Sequence, residues 1–258
     1  MTIPLGILPG LKLRAVSPSP SPAAALARAA ALSATVGDRT ARATRRVLDQ
    51  GSVSCCVSCA LAVALETLHA DWPLLAPLFH YHVARVQRGY ADRDGSIRIE
   101  DGRDVLASTG ICRESLHSYP IREEHVHTVP SPEAFRDALQ HRLLRAGYRL
   151  RMGEVIGTSK AVQIRARLID GDAIVLGFRR PSRFPGGVLD ARFLWDDPAV
   201  DLSSALGHCV LVTGFSDMRG ALRIQDSEGA GAYDGGGWWM GYRVVDTPVA
   251  EKAYWLRA

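Results

Sequence analysis

The spacing of the hydrophobic residues changes about halfway along the chain. In the first half, apolar residues recur at helical spacing or form a small-residue run without a breaker, a pattern typical of buried and amphipathic helices. The predicted helices cover residues 52–70, 74–88, a short segment around Val105, and 131–146, where Phe135, Leu139 and Leu143 form the apolar stripe. Serine residues at the front of the first stretch are expected to cap it.

In the second half, short apolar or β-branched runs are separated by Gly, Pro and Asp, which is typical of an antiparallel sheet. The predicted strands cover residues 172–178, 208–215, 221–225 and 238–245. Helices followed by strands predict an α+β protein. We place a helical lobe at about 36–135 and a β-rich lobe at about 136–258, together one domain.

The first 35 residues differ from the rest. Residues 17–22 read SPSPSP, which neither a helix nor a central strand tolerates, and residues 23–34 are rich in alanine. Arg28 interrupts the apolar stretch that a signal peptide would need. We therefore expect residues 1–35 to be an N-terminal extension, acting as a short pro-segment or docking arm.

Composition and charge narrow the classes of function. The 258 residues are 47% hydrophobic and 22% charged, as in a folded globular protein, and no apolar run of about 18 residues predicts a membrane span. The formal net charge is +4. The densest basic run, residues 39–46, has no interleaved aromatic residues and lies beside Asp38 and Asp49. Neither a nucleic-acid partner nor a membrane is expected.

The five cysteines do not form the pattern of a secreted disulfide framework, because their number is odd and three lie within five positions. They are Cys55, Cys56, Cys59, Cys112 and Cys209. Cys56 and Cys59 form a CxxC, but no second CxxC or HxxxH accompanies it, so no metal or other cofactor is expected. Packing in the core is the ordinary role of such cysteines.

Cys56 nevertheless combines with two distant residues into a candidate catalytic set. A cysteine in the first turn of a helix lies in the positive field of the helix amides, which favours the thiolate. His208 begins a predicted strand and could accept the proton of the thiol. Asp226 follows the next predicted strand and could orient the imidazole of His208. The cysteine and the histidine are 208 − 56 = 152 positions apart in the sequence.

Four segments carry a resemblance to a known family. They are 49–56 (DQGSVSCC), 207–215 (GHCVLVTGF), 224–229 (IQDSEG) and 234–242 (DGGGWWMGY), supported by 76–81, 94–96, 110–115 and 250–255. From about Val36 to the C-terminus the chain resembles papain-like cysteine peptidases (the C1 family) of the bacterial type with a short N-terminal extension. This resemblance implies a two-lobe fold, with a helical left lobe, an antiparallel, β-barrel-like right lobe and a cleft between them.

The resemblance also implies roles for individual residues. Cys56 would be the nucleophile, His208 the general base and acid, and Asp226 the residue that orients the imidazole. Gln50, six positions before the cysteine, would donate to the oxyanion. The residues expected to bind substrate are Gly95, Ser96 and Gly207.

The chain departs from the family pattern at several positions. Val57 replaces the tryptophan after the nucleophile, Asp226 replaces asparagine, and Glu228 and Ala232 replace two tryptophans near the orienting residue. We expect Asp226 to lie in wetter surroundings than the asparagine and to change the pKa of the histidine. Val53 replaces the cysteine of a family disulfide, which fits a cytoplasmic protein or one exported without a conventional signal peptide.

The expected activity is therefore that of a cysteine peptidase, which cleaves peptide or amide bonds through an acyl-enzyme on Cys56. The alternative is a catalytically degenerate papain-like scaffold that binds peptides or a partner protein, an interpretation suggested by the lost tryptophans. The expected partners are a peptide or protein substrate and, within the chain, the N-terminal extension, which would contact the cleft.

Overall fold

The computed structural model describes most of the chain after residue 42. The described residues are 43–118, 121–145, 148–149, 151–157, 159–182, 184, 189–190 and 192–258. The predicted N-terminal extension, residues 1–35, and its contact with the cleft lie outside them. The division into lobes at residue 135 stays a prediction.

The described residues form six α-helices, three 3₁₀ turns and nine strands. The helices are α1 (Cys56–Leu68), α2 (Pro77–Gln87), α3 (Ile99–Ser108), α4 (Pro132–Ala138), α5 (Lys160–Ile169) and α6 (Tyr242–Val245), and the 3₁₀ turns are Glu114–Leu116, Glu123–His125 and Leu139–His141. The strands are β1 (Leu144–Arg145), β2 (Tyr148–Arg149), β3 (Arg151–Glu154), β4 (Ala173–Arg180), β5 (Leu194–Trp195), β6 (Leu206–Ser216), β7 (Ala221–Gln225), β8 (Gly237–Gly241) and β9 (Ala250–Arg257).

Seven of the strands form one sheet in the order β3-β9-β4-β6-β7-β8-β5, and β1 pairs with β2 separately. All pairs in the large sheet are antiparallel except the short β5–β8 pair. The α+β class is thus confirmed. The β-barrel-like lobe is an open sheet, since its edge strands β3 and β5 do not pair with each other.

The two faces of this sheet carry two separate hydrophobic clusters. Val175, Cys209 and Leu211 point toward α1 and pack with the residues of α1–α4. Their neighbours on the same strands, among them Val210 and Val212, point the other way and pack with the remaining apolar residues of the β-rich part. Because side chains alternate along a strand, one continuous apolar run serves both clusters, which explains why residues 173–176 of β4 and 209–212 of β6 are apolar without a break.

The first helix forms where the sequence predicts it, but the serine cap is wrong. Its N-cap residue is Cys55, which makes no side-chain capping hydrogen bond. The side chain of Ser54 instead donates to the carboxylate of Asp94 at 3.0 Å. A serine that is used in this way is not available to the helix amides.

Other boundaries also differ from the prediction. The predicted strand 238–245 ends at Gly241 and continues as helix α6. The predicted helix 131–146 ends at Ala138, and its expected apolar stripe is partly in solvent, with Phe135 36% and Leu139 41% exposed. The side chains that this helix buries are Ala134 and Ala138. None of the described helices is long and apolar enough to cross a bilayer.

Candidate active site

Cys56 is the first residue of α1 and is half-buried, whereas the next ten residues of the helix are buried. Leu61 and Leu65, one and two turns further along, are fully buried and fix the helix against the sheet. All five cysteines are free, and Cys56 is the one among them that is not fully buried. Interaction with the Cys56 side chain is one of the causes that raise the pKa of His208. Nucleophile and base, 152 residues apart in the chain, thus lie near each other.

His208 lies on β6 and is held from two sides. Its Nε2 is 2.7 Å from Oδ1 of Asp226, which leaves Nδ1 as the ring nitrogen for the thiol. The ring of Phe178, the residue paired with it on β4, contacts the imidazole edge to face at a centroid distance of 5.6 Å. The side chain is buried. These contacts fix the ring plane and favour one orientation toward Cys56.

The electrostatics of the pair favour a charged imidazole. Burial disfavours the charge, but the Asp226 carboxylate and the hydrogen bonds with Asp226 and Cys56 outweigh it and raise the pKa of His208 to about 10. Burial likewise opposes the charge of Asp226, yet His208, Trp238 and the Ser227 amide hold the pKa of this carboxyl below its usual value. The site is therefore an ion pair at neutral pH.

The expectation of wetter surroundings for Asp226 is wrong. The residue is 2% exposed, and both carboxylate oxygens accept hydrogen bonds from the protein. Besides His208, Oδ1 accepts from the Ser227 backbone N–H at 2.8 Å, and Oδ2 accepts from the indole Nε1–H of Trp238 at 2.9 Å. Trp238 is itself fully buried on β8. An indole from the next strand therefore shields the carboxylate.

Glu228, at the position of the missing family tryptophan, has its own partners. Its carboxylate pairs with Arg180 and accepts the Tyr233 hydroxyl proton at 2.6 Å. The guanidinium of Arg180 also lies over the ring of Phe184, 5.2 Å from its centroid. The cluster of Glu228, Arg180 and Tyr233 thus occupies the position of the family indole, and Arg180 connects it to strand β4.

Gln50 is held beside both the cysteine and the orienting carboxylate. Its Nε2 donates to the Val53 carbonyl at 2.9 Å, and its Oε1 accepts the hydroxyl proton of Ser227. Its backbone N–H also donates to the Ser227 carbonyl at 2.7 Å. A side-chain amide has two N–H donors, so one remains for an oxyanion.

The residues expected to bind substrate lie on two different elements. Gly95 and Ser96 are in the loop between α2 and α3, where Tyr81 and Tyr90 bind their backbone groups. Gly207 is exposed on β6 directly before His208, and a β-carbon there would meet nothing within 4 Å. Ser96 and Gly207 are exposed, whereas Gly95 is half-buried.

The other four cysteines are buried, as a packing role predicts. Burial raises the pKa of Cys112 to about 12 and also raises the pKa of Cys209, while the Sγ of Cys59, 3.6 Å away, raises the pKa of Cys55. Among the described residues, no group of three His, Cys, Asp or Glu side chains is arranged to hold a metal ion.

Three site residues escaped sequence reasoning. Trp238 is predicted only as a core or interface residue, and Tyr81 and Asp94 have no predicted role. Because they act through contacts 12 to 40 residues apart in the chain, no local pattern reveals them. Away from these residues, His80 is fully buried and forms hydrogen bonds with Ser58 Oγ at 2.8 Å and with the Gly102 carbonyl at 2.9 Å.

Comparison of the whole fold with solved structures agrees with the resemblance. The chain is similar to xylellain, a cysteine protease from Xylella fastidiosa, with 20% identity, a TM-score of 0.72, and coverage of 86% of this chain and 90% of that one. It is also similar to digestive procathepsin L 3 from the Tenebrio molitor larval midgut, with 14% identity, a TM-score of 0.62, and coverage of 86% of this chain and 72% of that one. A third similar structure is the Carica candamarcensis cysteine protease CMS1MS2 in complex with E-64, with 15% identity, a TM-score of 0.57, and coverage of 83% of this chain and 93% of that one.

No protein-family model and no curated protein sequence matches the chain. The structural similarity establishes the class: the chain has the papain-like cysteine protease fold.

Proposed function

We propose that the protein is a cysteine peptidase that cleaves peptide or amide bonds through an acyl-enzyme on Cys56. The observation that carries this proposal is the arrangement of three side chains. Cys56 lies near His208 and interacts with its imidazole, whose Nε2 is held at 2.7 Å by the buried carboxylate of Asp226. A thiol, a base and a group that orients the base are the parts that nucleophilic acyl transfer requires.

In the first step the sulfur of Cys56 attacks the carbonyl carbon. The imidazolium of His208 stabilises the thiolate, which is the nucleophilic form. The first N–H groups of a helix have no partner within the helix, so the Cys56 amide is available to the developing oxyanion. The free Nε2 proton of Gln50 is the second donor.

In the second step the tetrahedral intermediate collapses. His208 gives its proton to the leaving amine, the C–N bond breaks, and a thioester on Cys56 remains. Neutral His208 then removes a proton from water, whose oxygen attacks the thioester. The carboxylic acid product leaves and the thiolate–imidazolium pair returns.

A peptide or protein is the proposed substrate. Ser96 is exposed, and its backbone N–H is the group proposed to pair with an extended segment, because the Gly95 backbone groups and the Ser96 carbonyl are bonded to Tyr81 and Tyr90. The similarity to a cysteine protease solved with E-64 supports this class of ligand.

The N-terminal extension is proposed to contact the cleft. The described chain begins next to the site, since Thr44 Oγ1 donates to the Gln225 side chain and Gln225 donates back to the Arg46 carbonyl at 2.8 Å. Gln225 directly precedes Asp226. Deletion of residues 1–35 is expected to raise kcat/KM, and equal activity of the full-length and shortened proteins would remove the idea.

The peptidase proposal is tested by alkylation with an epoxide of the E-64 type under reducing conditions, followed by intact mass. We expect one adduct, lost in Cys56→Ala and kept in Cys112→Ala, which removes an equally free but buried thiol. Peptide turnover should disappear in the same variant. A non-catalytic scaffold predicts instead that Cys56→Ala keeps the biological activity, and no adduct on the native protein would overturn the proposal.

A further inference from the structure

The loop that carries Gly95 and Ser96 is connected to the segment that leads into the nucleophile. The Asp94 carboxylate accepts hydrogen bonds from the backbone N–H of Ser54 at 3.2 Å and from the Ser54 hydroxyl at 3.0 Å. Ser54 lies two residues before Cys56. One exposed carboxylate therefore joins two parts of the chain that are 40 residues apart.

The same carboxylate is bonded on its other side to α2. Tyr81 is fully buried, its hydroxyl donates to Oδ1 of Asp94, and it accepts the backbone N–H of Gly95 at 2.9 Å. The hydroxyl of Tyr90 donates to the carbonyl of Ser96 at 2.8 Å. We call the bonds of Asp94 with Ser54 and Tyr81 the Asp94 link.

A third contact makes α2 a rigid support for this loop. The guanidinium of Arg85 is fully buried and donates to the carbonyls of Ala91 at 3.0 Å and Arg93 at 2.8 Å. It also donates to the carbonyl of Val126. The loop is therefore fixed to α2 up to residue 93, and the Asp94 link extends this support to the start of α1.

The chemistry of these contacts requires a carboxylate. Two oxygens receive an amide proton and two hydroxyl protons, and an ionised carboxylate accepts at both atoms while donating at neither. Hydrogen bonds to a charged acceptor are also stronger than neutral ones. No covalent connection accompanies the link, because all five cysteines are free.

We propose that Asp94 is a positioning residue of the proposed peptidase: it fixes the backbone of Gly95 and Ser96 at the distance from Cys56 that an extended substrate requires. This inference rests on the proposed function. Because the loop contacts substrate away from the reacting atoms, loss of the link weakens ground state and transition state alike. Such a loss raises KM and leaves kcat nearly unchanged.

The test compares Asp94→Ala with Asp92→Ala, which removes an exposed carboxylate from the same loop and leaves the link intact. Asp94→Ala is expected to raise KM for a peptide substrate about three- to tenfold, the range of a typical net hydrogen bond, with kcat within about twofold. Asp92→Ala should match the native protein. Tyr81→Phe should resemble Asp94→Ala, and the double variant should lose less than the sum of the two, because both changes break one connection.

Amide hydrogen exchange measures the link without catalysis. The N–H groups of Ser54 and Gly95 should exchange faster in Asp94→Ala than in Asp92→Ala. Unchanged KM together with unchanged exchange overturns the role of Asp94, even if Cys56 is alkylated and the peptidase proposal stands. Absence of the Cys56 adduct in the native protein defeats the proposed function instead, so the two failures are distinct.

Discussion

The indole N–H of Trp238 donates to Oδ2 of Asp226 at 2.9 Å, while Oδ1 of the same carboxylate holds His208 at 2.7 Å. This contact settles how a charged residue can occupy a site that is 2% exposed. A buried carboxylate is tolerated where a counter-charge and hydrogen-bond donors surround it. An aspartate here is thus a dry, fully bonded group, and it sets the charge state of the histidine.

Asp226→Asn is expected to move the alkaline limit of activity to lower pH. The carboxylate raises the pKa of His208 to about 10, and an amide of the same shape removes that charge. An opposite charge at this distance shifts a pKa by roughly 1–3 units. The rate of epoxide alkylation of Cys56 against pH measures the limit and does not depend on choosing a substrate.

The control is Asp234→Asn, a change of the same type at an exposed aspartate that pairs with Arg223. Its profile should overlay that of the native protein. An unchanged alkaline limit in Asp226→Asn would show that Asp226 does not govern the charge of His208.

The same pair makes folding stability depend on pH. The pKa of His208 is raised by folding, from its ordinary value of 6.5 to about 10. Its stabilising contribution is therefore fully present below about pH 6.5 and is lost as the pH rises toward about 10, because unfolding then releases a proton. Urea unfolding of the native protein and His208→Gln should show the largest difference near pH 6 and a small one near pH 10. A difference that grows with pH would contradict the pairing.

Trp238→Phe is expected to lower the free energy of unfolding by about 1–3 kcal/mol, the cost of leaving a buried acceptor short of a donor. Phenylalanine keeps most of the apolar packing but cannot donate to Asp226. The matched control is Trp239→Phe, one residue along the same strand, where the ring is half-buried and Arg219 and Arg223 stack on it. Equal losses in the two variants, measured by urea unfolding, would deny the indole N–H any special role.

The order of the catalytic set could be predicted because each member belongs to a short local pattern. Cys56 begins a helix, His208 lies on a strand after a glycine, and Asp226 follows the next strand. The position of Trp238 beside Asp226 could not be predicted, because it depends on the register of β7 and β8. In that register Ile224 pairs with Trp238, which brings the indole beside Asp226. Register is fixed by the whole sheet and not by the residues of one strand.

Elements with mixed polarity were missed for a related reason. Strand β9 carries two exposed charged residues, Glu251 and Lys252, directly after its first residue, yet it is a central strand between β3 and β4. Helix α5 contains Arg165 and Arg167, which cover the rings of Tyr242 and Trp255 at 4.7 and 4.2 Å. Their burial comes from partners far along the chain, so the pattern of hydrophobic residues underestimates it.

Gln50→Glu tests the proposed oxyanion donor. Glutamate keeps an oxygen for the Ser227 hydroxyl but has no N–H for a developing oxyanion. We expect kcat to fall by roughly 10²–10³, as for the loss of one oxyanion donor, with KM little changed. Ser227→Ala is the control, since it removes the hydroxyl that holds Gln50 but keeps the donor. A kcat for Gln50→Glu equal to that of Ser227→Ala would exclude the oxyanion role.

Arg46 is the first strongly anchored residue of the described chain, and its loss should be costly. Its guanidinium is 2.7 Å from the fully buried carboxylate of Glu66 on α1, which also accepts the Leu75 N–H at 2.8 Å, and 2.5 Å from Glu114. Removing one partner leaves a buried charge uncompensated. Arg46→Ala is therefore expected to destabilise the protein by about 3–5 kcal/mol.

Arg45→Ala is the matched control for this change, because the neighbouring arginine donates to the Trp72 carbonyl at 2.5 Å and acts on the Glu66 carboxylate less strongly than Arg46 does. Burial already raises the pKa of Glu66, and loss of Arg46 raises it further. Protonation then relieves the buried charge, so the deficit of Arg46→Ala should shrink as the pH falls from 8 to 5. Adding Glu66→Gln should recover part of the loss at pH 8. If the loss of stability in Arg46→Ala depended neither on pH nor on Glu66→Gln, the Arg46–Glu66 pair would not connect the start of the described chain to α1.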